Sequence, residues 1–585
     1  MLTRCNQADG SSGSAPGALA RAAALFLALA CVGTSSRAAT PLHPAVVSQG
    51  VVFLPPERPD DPPGVPAKAP AGAPKAAAVT FGRFTHIQVN VNGSGADIPG
   101  DAANEPSIAI DPNDHDRMAI GWRQFNTISS SFRHAGYGYT TDGGLTWTTG
   151  VIEPAVFRSD PVLASDSQGK FFYSSLSSFN CSYFPSTDGG MTWGTSVSGY
   201  GGDKQWFTID RTGGMGHGHI YQAWNSAGNP TPPNTFNRSI DGGASFQTPT
   251  FIPDSPHLGT LDVASDGTLY VVGTLGIGTP IYVARSANAQ DPLATPTFTS
   301  VSADLGGTLG TGSPNPAGLL GQLWIAVDRS AGPRAGWVYV LASVQTPTDP
   351  MEVHFIRSTD GGLTWSAPVR VNDDPAGTRA FQWFGTMSVS PDGRIDAVWN
   401  DTRGSADSTI CALYYAVSTD GGSTWSPNEQ ASPTWNSSVG WPAQAKIGDY
   451  YHMISDAGGA DLAWAATFNG GEDVYYVRIQ DLTTAVAGDA PARPRLHPSQ
   501  PNPFVTTTRI PFDMPPGGGH ARLEVFDLGG RRVATLLDAP VGGGPQAAVW
   551  NGTDGSGRAM RSGVYLYRLE TEGLRETRRL MLLRR

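Results

Sequence analysis

Charge is scarce in this 585-residue chain: only 15% of its residues are Asp, Glu, Lys or Arg. That excludes a coiled coil or an array of solvated charged helices. Cysteine is scarcer, with four in all. Beyond Cys31 only Cys181 and Cys411 remain, in different repeats, and two thiols so placed do not make a disulfide framework. Two buried thiols are expected. No basic excess exists to hold nucleic acid or an anionic membrane surface, since the formal net charge is −11. The acidity is uneven. Residues 490–585 carry 14 Arg against 8 acids, or +6, which leaves −17 for the remainder. Such a body accommodates a cation or a neutral glycan more readily, although plain solubility also accounts for it. No EF-hand, zinc, phosphate-loop or nucleophile-elbow pattern is present, so no metal and no cofactor are expected. His217 and His219 in GMGHGHI share one side of a strand lead-in, but no acid or Cys beside them completes a ligand set.

Apolar runs long enough to cross a bilayer are also missing. The longest, AAALFLALACVG (22–33), follows Arg21 and is too short to span as a helix. With Ala38 and Ala39 as cleavage candidates, residues 1–39 read as an export signal. Cys31 stands where a lipoprotein cysteine could, but Ala28-Leu29-Ala30 matches that signal poorly. Residues 40–80 are a Pro/Ala-rich linker.

What the chain has in abundance is turn residues, 72 Gly and 47 Pro, with 9% aromatics to fill a core. This composition predicts turn-rich β structure. Residues 81–480 divide into seven similar units. Each holds an apolar strand, a second strand ending in aromatics, and a third strand running into a turn, as in EPSIAIDP, MAIGWRQF and GYGYTTDGGLTW of the first. Units of this length with about four strands predict blades of a β-propeller, seven in number, or six if the degenerate fourth unit is an insertion. The seventh unit stops after three strands, and FTHIQVNV (84–91) is expected to supply its fourth and close the ring.

The turn after the third strand is an octapeptide spelled five times: TTDGGLTW, STDGGMTW, SIDGGASF, STDGGLTW and STDGGSTW. Asp142, Asp188, Asp241, Asp360 and Asp420 are placed to accept hydrogen bonds from the turn's own N–H groups. The paired glycines supply positive φ. Trp147, Trp193, Phe246, Trp365 and Trp425 are placed to fold back between sheets. Every position then has a structural task, and catalysis would not need five copies. The motif resembles the Asp-box, and the region resembles the sialidase-like, Asp-box-containing (BNR-repeat) propeller proteins. That resemblance implies an all-β propeller. In sialidases it implies three arginines on a substrate carboxylate, a Tyr–Glu nucleophile and an Asp acid/base. The first arginine opens the inner strand of blade one within Arg-Ile-Pro. Here the matching stretch is Asn104-Glu105-Pro106, and Glu105 would repel a substrate carboxylate. The one Arg-Ile-Pro, Arg509–Pro511, lies in the C-terminal region.

Residues that open the inner strands are expected to converge on the propeller mouth. Glu105, Asp160, Asp203 and Asp449 are the candidate catalytic carboxylates, on the logic of paired acids at a glycosidic bond. Arg158, Lys204, Trp206, Gln322, Arg379, Gln382, Trp383 and Tyr450 are candidate ligand contacts, with Lys446 close by. The alternative is a structural set of mutually paired charges, and Asp401, Arg403 and Arg123 read as ion pairs between blades.

After a second linker, 481–494, residues 495–585 alternate as a small β-sandwich. SQPNPF, LEVFDLGGRRV, VWNGTDGSGR and SGVYLYRL resemble the immunoglobulin-like domains that act as type IX secretion sorting signals, and the related hook-capping domain. This implies a bacterial outer-membrane secretion machinery as partner and a secreted or cell-surface location. The functional expectation is recognition of extracellular glycan or protein without catalysis; the alternative is a glycoside hydrolase of sialidase-like architecture.

Overall fold

A computed structural model describes residues 61–225, 229–481, 494–499, 502–505, 507–515, 518–542 and 544–584. Residues 1–39, read as an export signal, and most of the two stretches read as linkers lie outside the described residues. No helix of the described residues is long and apolar enough to cross a membrane. The regular structure among them is all β.

Residues 79–480 form seven antiparallel sheets in chain order. Their first strands are Ala102–Asp111, Ser159–Ser165, Trp206–Ile209, Leu261–Val263, Trp324–Val327, Gln382–Val389 and His452–Asp456. Each first strand contacts that of the next sheet, and the seventh contacts the first, so these strands form a closed ring. Their side chains are mostly buried. The ring closes as expected: Phe84–Gln88 pairs antiparallel with Asp473–Gln480, with Ile87 opposite Tyr476, and completes the seventh sheet from the other end of the chain. Arg83 then reaches Glu429 of the sixth sheet at 2.7 Å. A short hairpin, Thr311–Gly312 with Asn315–Leu319, is inserted between the fourth and fifth sheets. Nothing in the sequence reading anticipated it.

The octapeptide joins the third and fourth strands of the first, second, fifth and sixth sheets and follows the third strand of the third. Its geometry repeats closely. One carboxylate oxygen of each Asp accepts the backbone N–H four residues on at 2.9 Å, and the other accepts that residue's hydroxyl at 2.5–2.7 Å. The Ser or Thr two residues earlier donates to the same Asp. Burial works against ionisation of Asp142, Asp188, Asp241 and Asp420, but these bonds outweigh it and hold the carboxyls below their usual range. All ten glycines have φ between 67° and 86°. The second glycine of each pair lies against the preceding sheet: Gly144 on Tyr476, Gly190 on Ala119, Gly243 on Phe172, Gly362 on Tyr270 and Gly422 on Phe355. The aromatic ends of the motif fold back as well, with Trp193 edge-on to Tyr173 and Trp425 edge-on to Phe355. Each turn is therefore a staple between neighbouring sheets. The fourth sheet, whose turn reads as degenerate, keeps the device with Asn288 in the Asp position: Ser286 donates to its side-chain oxygen and Thr297 N–H does so at 2.9 Å.

Cys181 and Cys411 are free and buried, as expected. In the C-terminal region a three-stranded and a four-stranded antiparallel sheet share one apolar core that includes Phe512, Leu523, Tyr567 and Leu580.

Candidate functional site

A left-handed residue recurs at the opening of six of the seven first strands: Glu105, Asp160, Lys204, Leu258, Phe384 and Gly448, with φ from 47° to 96°. At Glu105, Asp160 and Phe384 the ladder with the second strand slips by a bulge. An extra residue of this kind leaves the in–out alternation of the strand and re-aims its side chain. Five of the six are not glycine, and each such backbone costs on the order of 1 kcal/mol or more. Three are charged and adjacent around the ring, and their side chains meet inside it.

Lys204, from the third sheet, is the hub. Its Nζ lies 2.6 Å from Asp449 of the seventh sheet and 3.3 Å from Asp160 of the second. Lys446 Nζ lies 2.7 Å from the same Asp449 oxygen and 3.2 Å from Glu105. Arg123 Nε reaches the other Glu105 oxygen at 3.2 Å. Since these contacts join the third sheet to the seventh, the cluster crosses the ring axis. The inserted hairpin covers it: Leu319 N–H donates to Asp449 at 2.7 Å, and Asn315 Nδ2 donates to the Gly448 carbonyl at 2.7 Å. Arg133, held by Ser159 Oγ, is buried beside it. Glu105, Asp203 and Asp449 are 0% exposed and Asp160 is 1% exposed.

The fields within the cluster are uneven. Burial pushes Glu105 up to about 7, although Arg123 and Lys446 oppose it. Burial likewise pushes Asp203 to about 7, and neither of its carboxylate oxygens has a hydrogen-bond partner among the described residues. Burial also resists ionisation of Asp449, but Lys204 and Lys446 outweigh it and hold its carboxyl well below the usual range. Lys204 is raised: burial opposes its charge, and Asp160 and Asp449 outweigh that.

Below the cluster, Trp206 packs edge-on against Trp324, Tyr450 and His452 at 5.2–5.3 Å. This aromatic layer divides the cluster from the rest of the ring interior. Of the expected ligand contacts, Trp206, Lys204, Gln322 and Tyr450 are thus buried at the ring centre, where Tyr450 donates to the Pro161 carbonyl. Trp383 and Gln382 are not at a mouth at all. Trp383 is wholly buried against Phe384 and Trp435, and Gln382 donates to Asp401. Arg158 pairs with Glu153 and Arg379 is exposed, so neither joins the cluster. Arg403 pairs with Asp401 and Asp373, an ion-pair role in keeping with the sequence reading. His217 is exposed and bonds Thr212 and Ser167, apart from any cluster.

One group of possible metal-ligating side chains, His115 with Asp456 and Asp461, occurs among the described residues. Arg478 occupies both carboxylates, at 2.5 and 2.7 Å, so this is an ion-pair seam between the seventh and first sheets.

A second acidic group lies at the ring closure. Asp101 is pushed up to about 8 by burial and by Asp473, which burial raises to about 7; Gln124 and Asn90 donate to them. The folded chain keeps these protons to higher pH than the unfolded chain, so stability falls as pH rises through the window between them. His86, His257 and His452, buried neutral with pKa values about 3 to 4, act in the opposite sense but only below about pH 6.5. The melting temperature is therefore expected to fall from pH 6.5 to pH 8, and Asp101→Asn to flatten that fall. An unchanged slope in the variant would contradict the assignment.

No family model matches the chain, and no curated protein matches it. Solved structures similar to it include Kuenenia stuttgartiensis hydrazine synthase (10% identity, 67% of this chain, 99% of that one, TM-score 0.40). Others are PorZ of Porphyromonas gingivalis, a surface component of the type IX secretion system (12%, 82% and 70%, 0.35), and Trypanosoma rangeli sialidase (11%, 86% and 89%, 0.33). At TM-scores below 0.5 these likenesses identify no function for the chain.

Proposed function

We propose that residues 81–480 are a seven-bladed propeller of the sialidase-like, Asp-box kind, and that residues 495–585 are an immunoglobulin-like sorting domain. On this reading residues 1–39 are an export signal, 40–80 and 481–494 are linkers, and the chain works outside the cell or on its surface. There it recognises extracellular glycan or protein and performs no chemistry. One observation carries the non-catalytic reading. The candidate carboxylates Glu105, Asp160 and Asp449 are buried and ion-paired to Lys204, Lys446 and Arg123, under a hairpin bonded to Asp449. A glycosidase needs two carboxyls roughly 5–10 Å apart with room for a sugar and a water between them. Glu105, Asp160 and Asp449 are instead enclosed and held on cations at the ring axis, an arrangement that supports a structural role. It does explain why strained charged residues persist, because they join four sheets.

The glycoside hydrolase reading keeps one observation in its favour. Glu105 and Asp203 are raised to about 7 while Asp160 and Asp449 are lowered, a split that acid/base catalysis uses. Acting on a glycan would require the 311–319 hairpin to leave. A glycan array, run beside capture on isolated outer-membrane proteins, tests recognition. Saturable binding to a defined glycan or protein is expected, and silence on both would overturn the proposal.

A further inference from the structure

The opposite end of the ring holds a cavity of about 560 Å³. Its walls are the later halves of the first strands and the turns that follow them, and Trp206, Trp324 and His452 line its inner end. In an up-and-down sheet the turn after the first strand and the turn after the third lie at the same end. The cavity therefore opens on the face that carries the octapeptides, away from the carboxylate cluster.

The charged residues lining it are Arg211, Arg329 and Asp262. Arg329 is neutralised by Asp262 at 2.7 Å. Arg211 is not neutralised: its Nε and Nη2 donate to the Ser165 carbonyl and hydroxyl at 2.7 and 2.9 Å, and no carboxylate lies within ion-pair distance of it among the described residues. Those two bonds fix the guanidinium while leaving donors unspent. Arg211 is exposed at the channel's opening, within reach of a ligand from solvent. A third group has spare capacity. Ser455 lines the same cavity, is 7% exposed, and its hydroxyl has no partner among the described residues.

We propose that this channel binds a small ring-bearing carboxylate, with the carboxylate on Arg211 and the ring toward the Trp206–Trp324 wall. A fixed guanidinium matches a carboxylate in two parallel bonds. The volume falls within the range of small-molecule sites, where a mostly apolar wall and a few placed polar groups set orientation. The wall fits an amphipathic ring: Ile325, Ala326 and Met387 are apolar, while Ser388 and Ser455 supply hydroxyls. This site stands apart from the recognition reading, because Arg211 and Ser455 lie on the far side of the Trp206–Trp324 layer from the carboxylate cluster.

The experiment is calorimetric titration of the whole chain with glucuronate, benzoate and, as a neutral control, glucose, at low ionic strength. Saturable binding of glucuronate or benzoate and none of glucose is expected. Arg211→Gln should weaken that binding at least tenfold, Arg211→Lys should recover part of it, and added salt should weaken it in the wild type. Ser455→Ala, which leaves every hydrogen bond of the fold in place, should weaken it by a smaller factor and decides the matter if the Arg211 variants fail to fold. Absence of binding by both carboxylates overturns the proposal, as does binding that neither Arg211→Gln nor Ser455→Ala changes.

Discussion

Lys204→Met is expected to lower the stability of the ring by about 3–5 kcal/mol, the usual cost of removing one partner from a buried ion pair. Methionine matches the stem of lysine in length, so little volume changes. What is lost is the charge that faces Asp160 and Asp449 together. Those two carboxylates, buried at the second and seventh sheets of the closed ring, would then keep only Lys446 and more distant cations. Urea unfolding should show a lower midpoint with an unchanged slope. The double variant Lys204→Met with Asp449→Leu should recover part of the loss, because it removes the stranded carboxylate as well. A loss below about 1 kcal/mol, typical of exposed pairs, would mean that the cluster is solvated in solution.

Gly422→Ala in the sixth sheet should cost about 2–5 kcal/mol, from two sources that add. Its φ of 76° is left-handed, where a Cβ costs roughly 1–2 kcal/mol. The new methyl would also overlap the ring of Phe355 in the fifth sheet, a clash with a buried aromatic, and overpacking adds about 1–3 kcal/mol. Gly242→Ala separates the two sources. Its φ is 67°, and a Cβ there meets nothing within 4 Å, so only the backbone cost of roughly 1–2 kcal/mol is expected. Equal losses in the two variants would show that the octapeptide closes its own turn without stapling the sheets.

These two positions also mark what the sequence reveals and what it hides. The octapeptide is legible because its chemistry is local. Asp, the glycine pair and the aromatic act within eight residues, and the same spelling recurs at each staple. The seven units and the ring-closing strand at 84–88 are legible for a related reason, since periodic strands leave a three-stranded remainder that needs a partner. Convergence of Glu105, Asp160, Lys204 and Asp449 follows from their shared place at strand openings. Whether they face solvent does not. Burial of the cluster depends on the 311–319 hairpin, a Gly- and Pro-rich stretch without repeat spelling, and on the bulges that turn these side chains inward. The misplacement of Trp383 has the same origin, because the bulge at Phe384 sends Trp383 into the core instead of the mouth. Arg211 escapes notice because only the ring brings it beside Arg329, more than a hundred residues away in the chain.

On the proposed reading the acidic cluster holds the ring together and does no chemistry. Turnover tests it most directly. Wild type and Glu105→Gln would be assayed over a panel of reducing-end-labelled and aryl glycosides, neutral and acidic, with the melting temperature of each protein recorded alongside. No turnover by either protein is expected, and a lower melting temperature in the variant, since Lys446 and Arg123 each lose one buried counter-charge while Lys446 keeps Asp449. Turnover by the wild type that disappears in a Glu105→Gln protein of unchanged melting temperature would contradict it and make Glu105 a catalytic residue.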